Sequence, residues 1–342
     1  MSIHLDGHRR SYVDLFRKIC ADAGLTPLLL RSWKAGAEER APLLVLMIEE
    51  SFVGFVMTVL RRAVRGRPTT GLLFGGAGLV NGSGIKADVK RWGLRVLTKV
   101  PYVTVLAITP FEIVPGLEEL ADDWIYDPQL WDLGAVRPVS SPLADDVRRV
   151  AAGRTVVTAL GRQSVEKGFD RFTAVWTSNA ELRSRCLFVS AGDIQPDLQA
   201  PAEAFVEAGG YVVDRFITDD ELMSLYGASD MVWALYAPAY DQSSGVFGRA
   251  LQWGRPAVVR RGSQIHDLAR YLETPVVDAP WDDDAGIVDA ILSPVDQPAG
   301  ESGAPDGLKS RTLEILGRHV LAGATPSPDQ PAPIAPQPAG RG

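Results

Sequence analysis

A chain of 342 residues is longer than one ordinary hydrophobic core sustains, and it suits two domains. With 46% hydrophobic and 23% charged residues, its composition is that of a globular protein, not of a disordered or fibrous one. The net charge of −7 is uneven, +2 over residues 1–140 and −9 over the remainder, so neither half offers the basic stripe that nucleic-acid binding needs.

The opening MSIHLDGHRR lacks the apolar core of an export signal. The most apolar region, 42–60, is broken by Glu49 and Glu50 before reaching the ~20 residues of a spanning helix. Cys20 and Cys186 sit in apolar or helical contexts and read as free thiols of a reducing compartment. A cytoplasmic protein is expected. His4, His266 and His319 show no ligand spacing, so neither a metal nor another cofactor is expected.

Short β-branched or leucine-rich runs alternate with longer amphipathic stretches, the pattern of βαβ units and parallel sheets. SIHL reads as a first strand and HRRSYVDLFRKICADAG as a helix ending at Gly24. TPLLLRSW and APLLVLMIEE read as strands, and SFVGFVMTVLRRAVRG as a helix. TTGLLF is a strand, GGAGLVNGSG (75–84) a glycine-rich loop, and ADVKRWGLRVLTKV a helix, with YVTVLAIT and DDWIYD completing the first sheet.

A second alternation starts near residue 150. TVVTALG, CLFVSAG, YVVDRF, MVWALY, PAVVR and PVVDA read as strands. The stretches 169–185, 201–209, 219–229, 244–254, 263–272 and 284–293 read as the helices between and after them. The expectation is an α/β protein of two Rossmann-like, doubly wound domains facing a cleft, at 1–145 and 150–293. A linker at 294–307, a helix at 308–322 and a disordered proline-rich tail at 323–342 would follow.

Ligands of a doubly wound sheet bind beyond the carboxyl ends of its strands. Two loops expected on that edge of the second domain hold unusual residues. In GRQSVEKGFD, Arg162 can fork onto two oxygens and Lys167 adds a mobile charge, a pair suited to a diphosphate. The plain reading is two separately solvated surface cations. In YDQSSGVFGRALQWGRP, Ser243, Ser244 and Gly245 stand where a helix starts, and hydroxyls and free N–H groups there make an anion site. The plain reading is an ordinary serine cap.

Taken in order, LGRQSVEKGFDRFTAVW, LFVSAGD, YVVDRFITDDELMSLYGASDMVWAL and SSGVFGRALQWGRPAVV resemble the donor-binding domain of GT-B-fold glycosyltransferases of the group-1, family 4-like type, over about residues 153–278. The resemblance implies that Arg162 and Lys167 bind the diphosphate of a sugar nucleotide. It implies that Ser243, Ser244 and Gly245 hold the distal phosphate, and that the loop at Phe216 and Ile217 lies against the base. The family's paired glutamates, eight residues apart, are replaced here by Asp241 and Arg249. Asp241 can stand in for the first beside the donor sugar; Arg249 has no acceptor for ribose hydroxyls.

The first half carries no motif of that specificity. In GT-B enzymes the loop after the first strand often faces the cleft, which makes His8 a candidate base and Asp6 its orienter or substitute; a surface loop with a plain cap is the other reading. Glu49 and Glu50 read as acceptor-side carboxylates or as helix N-terminal ones. The helix at 51–67 ends in Arg61, Arg62, Arg65 and Arg67, which reads as a core helix with a solvated basic end or as a peripheral contact with the inner face of an anionic membrane.

The resemblance thus implies a hexosyltransferase-type enzyme moving a sugar from a nucleotide diphosphate to a glycan or lipid-linked acceptor, in cell-surface polysaccharide or glycoconjugate biosynthesis. The alternative is a non-catalytic nucleotide- or glycan-binding partner on the same scaffold.

Overall fold

The computed structural model describes residues 8–30, 32–131, 140–294 and 307–321. The SIHL strand, Asp6 and the proline-rich tail lie outside them. The chain divides into two compact units. The first comprises 1–108, 116–128 and 310–342; the second comprises 109–115 and 129–309.

The first unit opens with α1 (His8–Asp22) and α2 (Trp33–Glu38), followed by β1 (Leu43–Val45), α3 (Phe52–Ala63), β2 (Thr69–Leu73), α4 (Gly76–Asn81), α5 (Ile85–Leu97), β3 (Val103–Ala107) and β4 (Asp123–Trp124). The four strands pair in parallel in the order β1-β2-β3-β4. Two expectations fail here. TPLLLRSW is not a strand: 25–30 has no regular structure, Leu28 stands exposed, and Ser32 caps α2 by accepting the Ala35 N–H at 3.2 Å. A run of leucines makes a strand only where a neighbour completes its ladder, and this one has no such neighbour among the described residues. The glycine-rich stretch 75–84 is mostly the short helix α4, with Gly84 alone taking a left-handed conformation (φ 101°).

After the four-residue α6 (Pro128–Trp131), the second unit contains α7 (Pro142–Ala151), β5 (Thr155–Leu160), α8 (Phe169–Ser178), α9 (Ala180–Arg185), β6 (Cys186–Ala191), α10 (Gln199–Glu207) and β7 (Tyr211–Val213). It continues with α11 (Asp219–Ala228), β8 (Met231–Ala234), α12 (Gly245–Gln252), β9 (Ala257–Arg260), α13 (Gln264–Tyr271), β10 (Val276–Ala279) and α14 (Asp284–Leu292). Its six strands are parallel in the order β10-β9-β8-β5-β6-β7. The expected single helix over 169–185 is two, because Asn179 leaves helical geometry and caps α9 through the Leu182 N–H at 2.8 Å.

The core of the second unit is aromatic. Phe172 stacks on Phe188 (centroids 4.7 Å) and meets Trp233 edge-on at 5.3 Å. Phe169, Trp176 and Phe205 close around them, all buried. Strands buried on both faces read as continuous apolar runs, as TVVTAL and CLFVSA do.

The last helix, α15 (Leu308–Leu316), and the π turn Gly317–Leu321 return to the first unit. There Arg311 lies over the Trp124 ring at 3.8 Å and pairs with Asp123 at 3.1 Å, and Thr70 donates to the His319 carbonyl.

Candidate functional site: the switch point of the second sheet

In the second unit the chain fills the sheet outward from β5 in one direction (β5, β6, β7) and from β8 in the other (β8, β9, β10). The reversal lies between β5 and β8, and the loops leaving those two strands flank the crevice where doubly wound sheets take ligands. The loop after β5 carries Arg162 and Lys167; the loop after β8 carries Asp241, Ser243 and Ser244.

The two loops touch. The Ala237 N–H donates to the Glu166 carbonyl at 2.9 Å. Gly168, at φ 70°, passes so near Leu235 that an added Cβ would lie 2.2 Å from its carbonyl oxygen. On the other side, Gly192 (φ 135°) lets β6 leave the sheet against Gly161, where a Cβ would meet the Gly161 carbonyl at 2.0 Å. Only glycine tolerates these left-handed close approaches.

Lys167 is half-buried, and its ammonium lies over the crowded end of β5, 3.8 Å from where a Gly161 Cβ would stand. Burial first, and the Arg162 guanidinium second, hold its pKa below the ordinary lysine value. Neither side chain makes a hydrogen bond or ion pair among the described residues. Hydrogen bonds with its own backbone and with Ser164 first, and then the nearby Arg162 guanidinium, lower the Glu166 pKa, so the loop carries two cations against one anion and stays net positive.

Ser244 caps α12 by accepting the Phe247 N–H at 3.2 Å, and the Tyr236 hydroxyl lies 2.9 Å from its Oγ. Burial raises the Tyr236 pKa, so it stays a neutral phenol. Gly245 begins the eight-residue helix.

Ser243 belongs to a polar cluster that sequence reasoning missed. The Gln264 amide reaches Thr109 Oγ1 at 3.1 Å and Ser243 Oγ at 3.4 Å, while its own Oε1 is buried with no partner. Thr109, Ser243 and Gln264 are far apart in sequence, and no local pattern links them. Asp241 is fixed through one oxygen: Oδ1 takes the Gln264 N–H at 2.8 Å and pairs with Arg260 at 3.1 Å.

Other expected residues fall elsewhere. Phe216 and Ile217 follow the edge strand β7, two strands from β5; Phe216 is exposed and Ile217 buried. Arg249 is in α12, two turns from Ser243. His8 is the first residue of α1, not a loop residue, and its side chain, like Asp6, is outside the described residues.

In the first unit, the Glu49 carboxylate takes the Gly75 N–H at 2.7 Å and the Phe74 N–H at 3.2 Å, closing the end of β2 at the start of α4. Burial still raises its pKa. Arg62 is fully buried, and its guanidinium is spent on Thr69 and the carbonyls of Gly36, Glu39, Ala41 and Pro68. Arg65 and Arg67 likewise bond carbonyls of 37–39. Three of the four arginines proposed for a membrane contact therefore hold the first unit together. No helix is long and apolar enough to cross a membrane, and no cluster of potential metal ligands occurs, among the described residues.

Two parallel α/β units, the second wound about a switch point, define the GT-B glycosyltransferase fold, and solved structures of that fold match the chain. Anabaena HepE, in complex with UDP and glucose, aligns over 84% of this chain and 76% of its own with a TM-score of 0.52 at 16% identity. A UDP-forming α,α-trehalose-phosphate synthase from Burkholderia xenovorans, in complex with glucose-6-phosphate, aligns over 83% and 74% with a TM-score of 0.52 at 12% identity. Sucrose-phosphate synthase from Thermosynechococcus elongatus aligns over 91% and 73% with a TM-score of 0.53 at 12% identity. No protein-family model and no curated protein matches the chain.

Proposed function

We propose that the protein is a glycosyltransferase whose second unit binds a nucleoside diphosphate sugar. One observation carries the reading: Lys167 and Arg162 share the switch-point loop, neither hydrogen-bonded nor ion-paired among the described residues, and that loop touches the one leading to the capped start of α12. A diphosphate supplies the missing charge to both cations and accepts from the N–H groups at Ser244 and Gly245. HepE binds UDP and the trehalose-phosphate synthase is UDP-forming, which favours a uridine donor.

In transfer, the bond between the anomeric carbon and the diphosphate oxygen breaks, an acceptor hydroxyl oxygen bonds to that carbon, and the hydroxyl proton passes to the departing diphosphate. Negative charge grows on the departing diphosphate, where Arg162 and Lys167 are already in place, and preorganised charge of this kind contributes most when water is excluded. Asp241 Oδ2, left over once Oδ1 is engaged, accepts a hydroxyl of the donor sugar. With this much positive charge supplied by the chain, the diphosphate needs no metal, so transfer persists in chelator. In this reading the exposed Phe216, on the loop after β7, covers the base, and the acceptor is a glycan or a lipid-linked sugar of a surface-polysaccharide or glycoconjugate pathway.

The test is release of nucleoside diphosphate from a panel of sugar nucleotides, with glycan and lipid-linked acceptors. Arg162→Ala and Lys167→Ala should each cut kcat/KM at least tenfold, and the double variant should abolish turnover. Undiminished turnover in the double variant would remove the diphosphate assignment. Binding without turnover for every donor and acceptor would leave the non-catalytic reading in its place.

A further inference from the structure

On α3, Val53, Met57, Leu60 and Val64 are all exposed, Val64 to 90%. On α5, Ile85, Val89, Trp92 and Val96 are all exposed, Ile85 to 81% and Trp92 to 68%. Both sets repeat at intervals of four, three and four. At 100° per residue each forms a stripe about 60° wide, the narrow seam by which helices pair and not the broad face of a helix laid on a core. Each stripe lies opposite its own helix's buried side, Phe55, Thr58, Val59 and Arg62 on α3 and Leu94 and Leu97 on α5.

The two stripes share one surface. β1, β2 and β3 are consecutive neighbours in a parallel sheet, so right-handed crossovers place α3 and α5 on the same side of it. The helices touch at Phe52 and Gly93, where an added Cβ would lie 2.8 Å from the Phe52 ring. The wheel then turns Val56 and Ala63 of α3 and Gly93 of α5 into the valley between the stripes. The result is two apolar ridges with a valley floored by Phe52, Val56, Ala63 and Gly93 and bordered on α5 by Lys86.

We infer that this face is a homodimer interface, the α3–α5 pair of one protomer packing on the same pair of its partner about a two-fold axis. The exposed apolar area is on the order of 800 Å2, beyond the largest patch of a typical monomer and about what one partner gives to a standard interface. The relief is self-complementary, since a ridge of one copy fits the valley of the other, as an isologous contact requires. Along the outer margin of α5, Asp88 is paired with Arg91 and Arg95 with Glu119, while the exposed cations Arg61 and Lys86 flank the stripes and fall to the solvated rim of the contact.

Sedimentation of the full chain across micromolar concentrations tests this without reference to any glycosyl donor. The wild type should be dimeric. Met57→Glu with Trp92→Glu, both at exposed positions that leave the core intact, should be monomeric with unchanged circular dichroism. Amides of α3 and α5 in the wild type should gain hydrogen-exchange protection as concentration rises. A wild-type monomer at every concentration overturns the inference, as does a folded double variant that stays dimeric. Co-sedimentation of a monomeric wild type with phosphatidylglycerol vesicles would overturn it in favour of a membrane surface.

Discussion

At Lys167, burial and a neighbouring guanidinium both disfavour the ammonium, so the folded protein holds this proton less tightly than the unfolded chain does. The sign follows from proton counts: between the lowered folded value and the ordinary value of 10.5, the unfolded state binds more protons, so this residue's penalty on stability fades as pH rises. A bound diphosphate acts in the opposite sense. It stabilises the ammonium and draws a proton in, so UDP affinity should fall as pH climbs through the free protein's lowered Lys167 pKa. Calorimetry in buffers of different ionisation enthalpy should detect the proton uptake, and Lys167→Met should abolish it. A pH-independent affinity that Lys167→Met leaves unchanged would place the diphosphate elsewhere.

Glu49 gives a second titration with the reverse logic. Its folded pKa is raised by burial despite backbone N–H donors from Gly75, Phe74 and its own residue, so the folded protein binds its proton more tightly than the unfolded chain. This contribution is complete below the ordinary value of 4.5 and is lost as pH rises through the raised value. At neutral pH the buried charge is a burden that a neutral amide avoids while still accepting from Gly75. Glu49→Gln should therefore leave Tm unchanged or higher at pH 7, whereas Glu49→Ala, which orphans the N–H donors, should cost about 1–3 kcal/mol. Denaturant titration of both variants at two pH values distinguishes these outcomes.

At the scale of elements, the loops of the switch point are set by glycines more than by the residues that would touch a ligand. Gly168→Ala places a methyl 2.2 Å from the Leu235 carbonyl in a left-handed backbone, and the two loops cannot both keep their positions. The expected cost is at least about 2 kcal/mol, with loss of donor binding exceeding the loss of stability, read by comparing UDP titration with urea melts. Ser244→Ala, by contrast, removes one cap and should cost only about 1 kcal/mol.

The same contrast explains what the sequence made legible. The second sheet could be read strand by strand because most of its strands are apolar runs closed by glycine or proline, and most of its helices open on a side-chain cap, such as the Thr218–Glu221 capping box of α11. Arg162, Lys167 and the serine turn were visible because each lies within one short loop. TPLLLRSW misled because composition alone cannot show whether a partner strand exists. The Thr109–Ser243–Gln264 cluster was invisible because it is assembled by tertiary structure from three segments.

At the scale of the whole molecule, the first described helix, α1, and most of the last, α15, belong to the same unit. Arg311 on Trp124, Thr312 with the Tyr126 carbonyl and His319 with Thr70 tie α15 and the π turn to the first sheet, and Ile315, Leu316 and Val320 are buried. The first sheet has only four strands, two of them of two or three residues, so it depends on covering elements more than the second does. Ending the chain at residue 307 removes the cation–π contact, the ion pair with Asp123 and three buried aliphatic side chains, each worth about 1.5–3 kcal/mol when fully buried. That sum approaches the whole stability of an ordinary domain. In the truncated chain, amides of β2 and β3 and those around Trp124 should exchange far faster, while β5, β6 and β8 keep their protection. UDP should slow exchange further in the second unit alone, because a ligand stabilises only the folded structure that binds it. Equal loss of protection in both sheets would mean that the two units unfold as one. Unchanged protection in the first would mean that the last helix only decorates it.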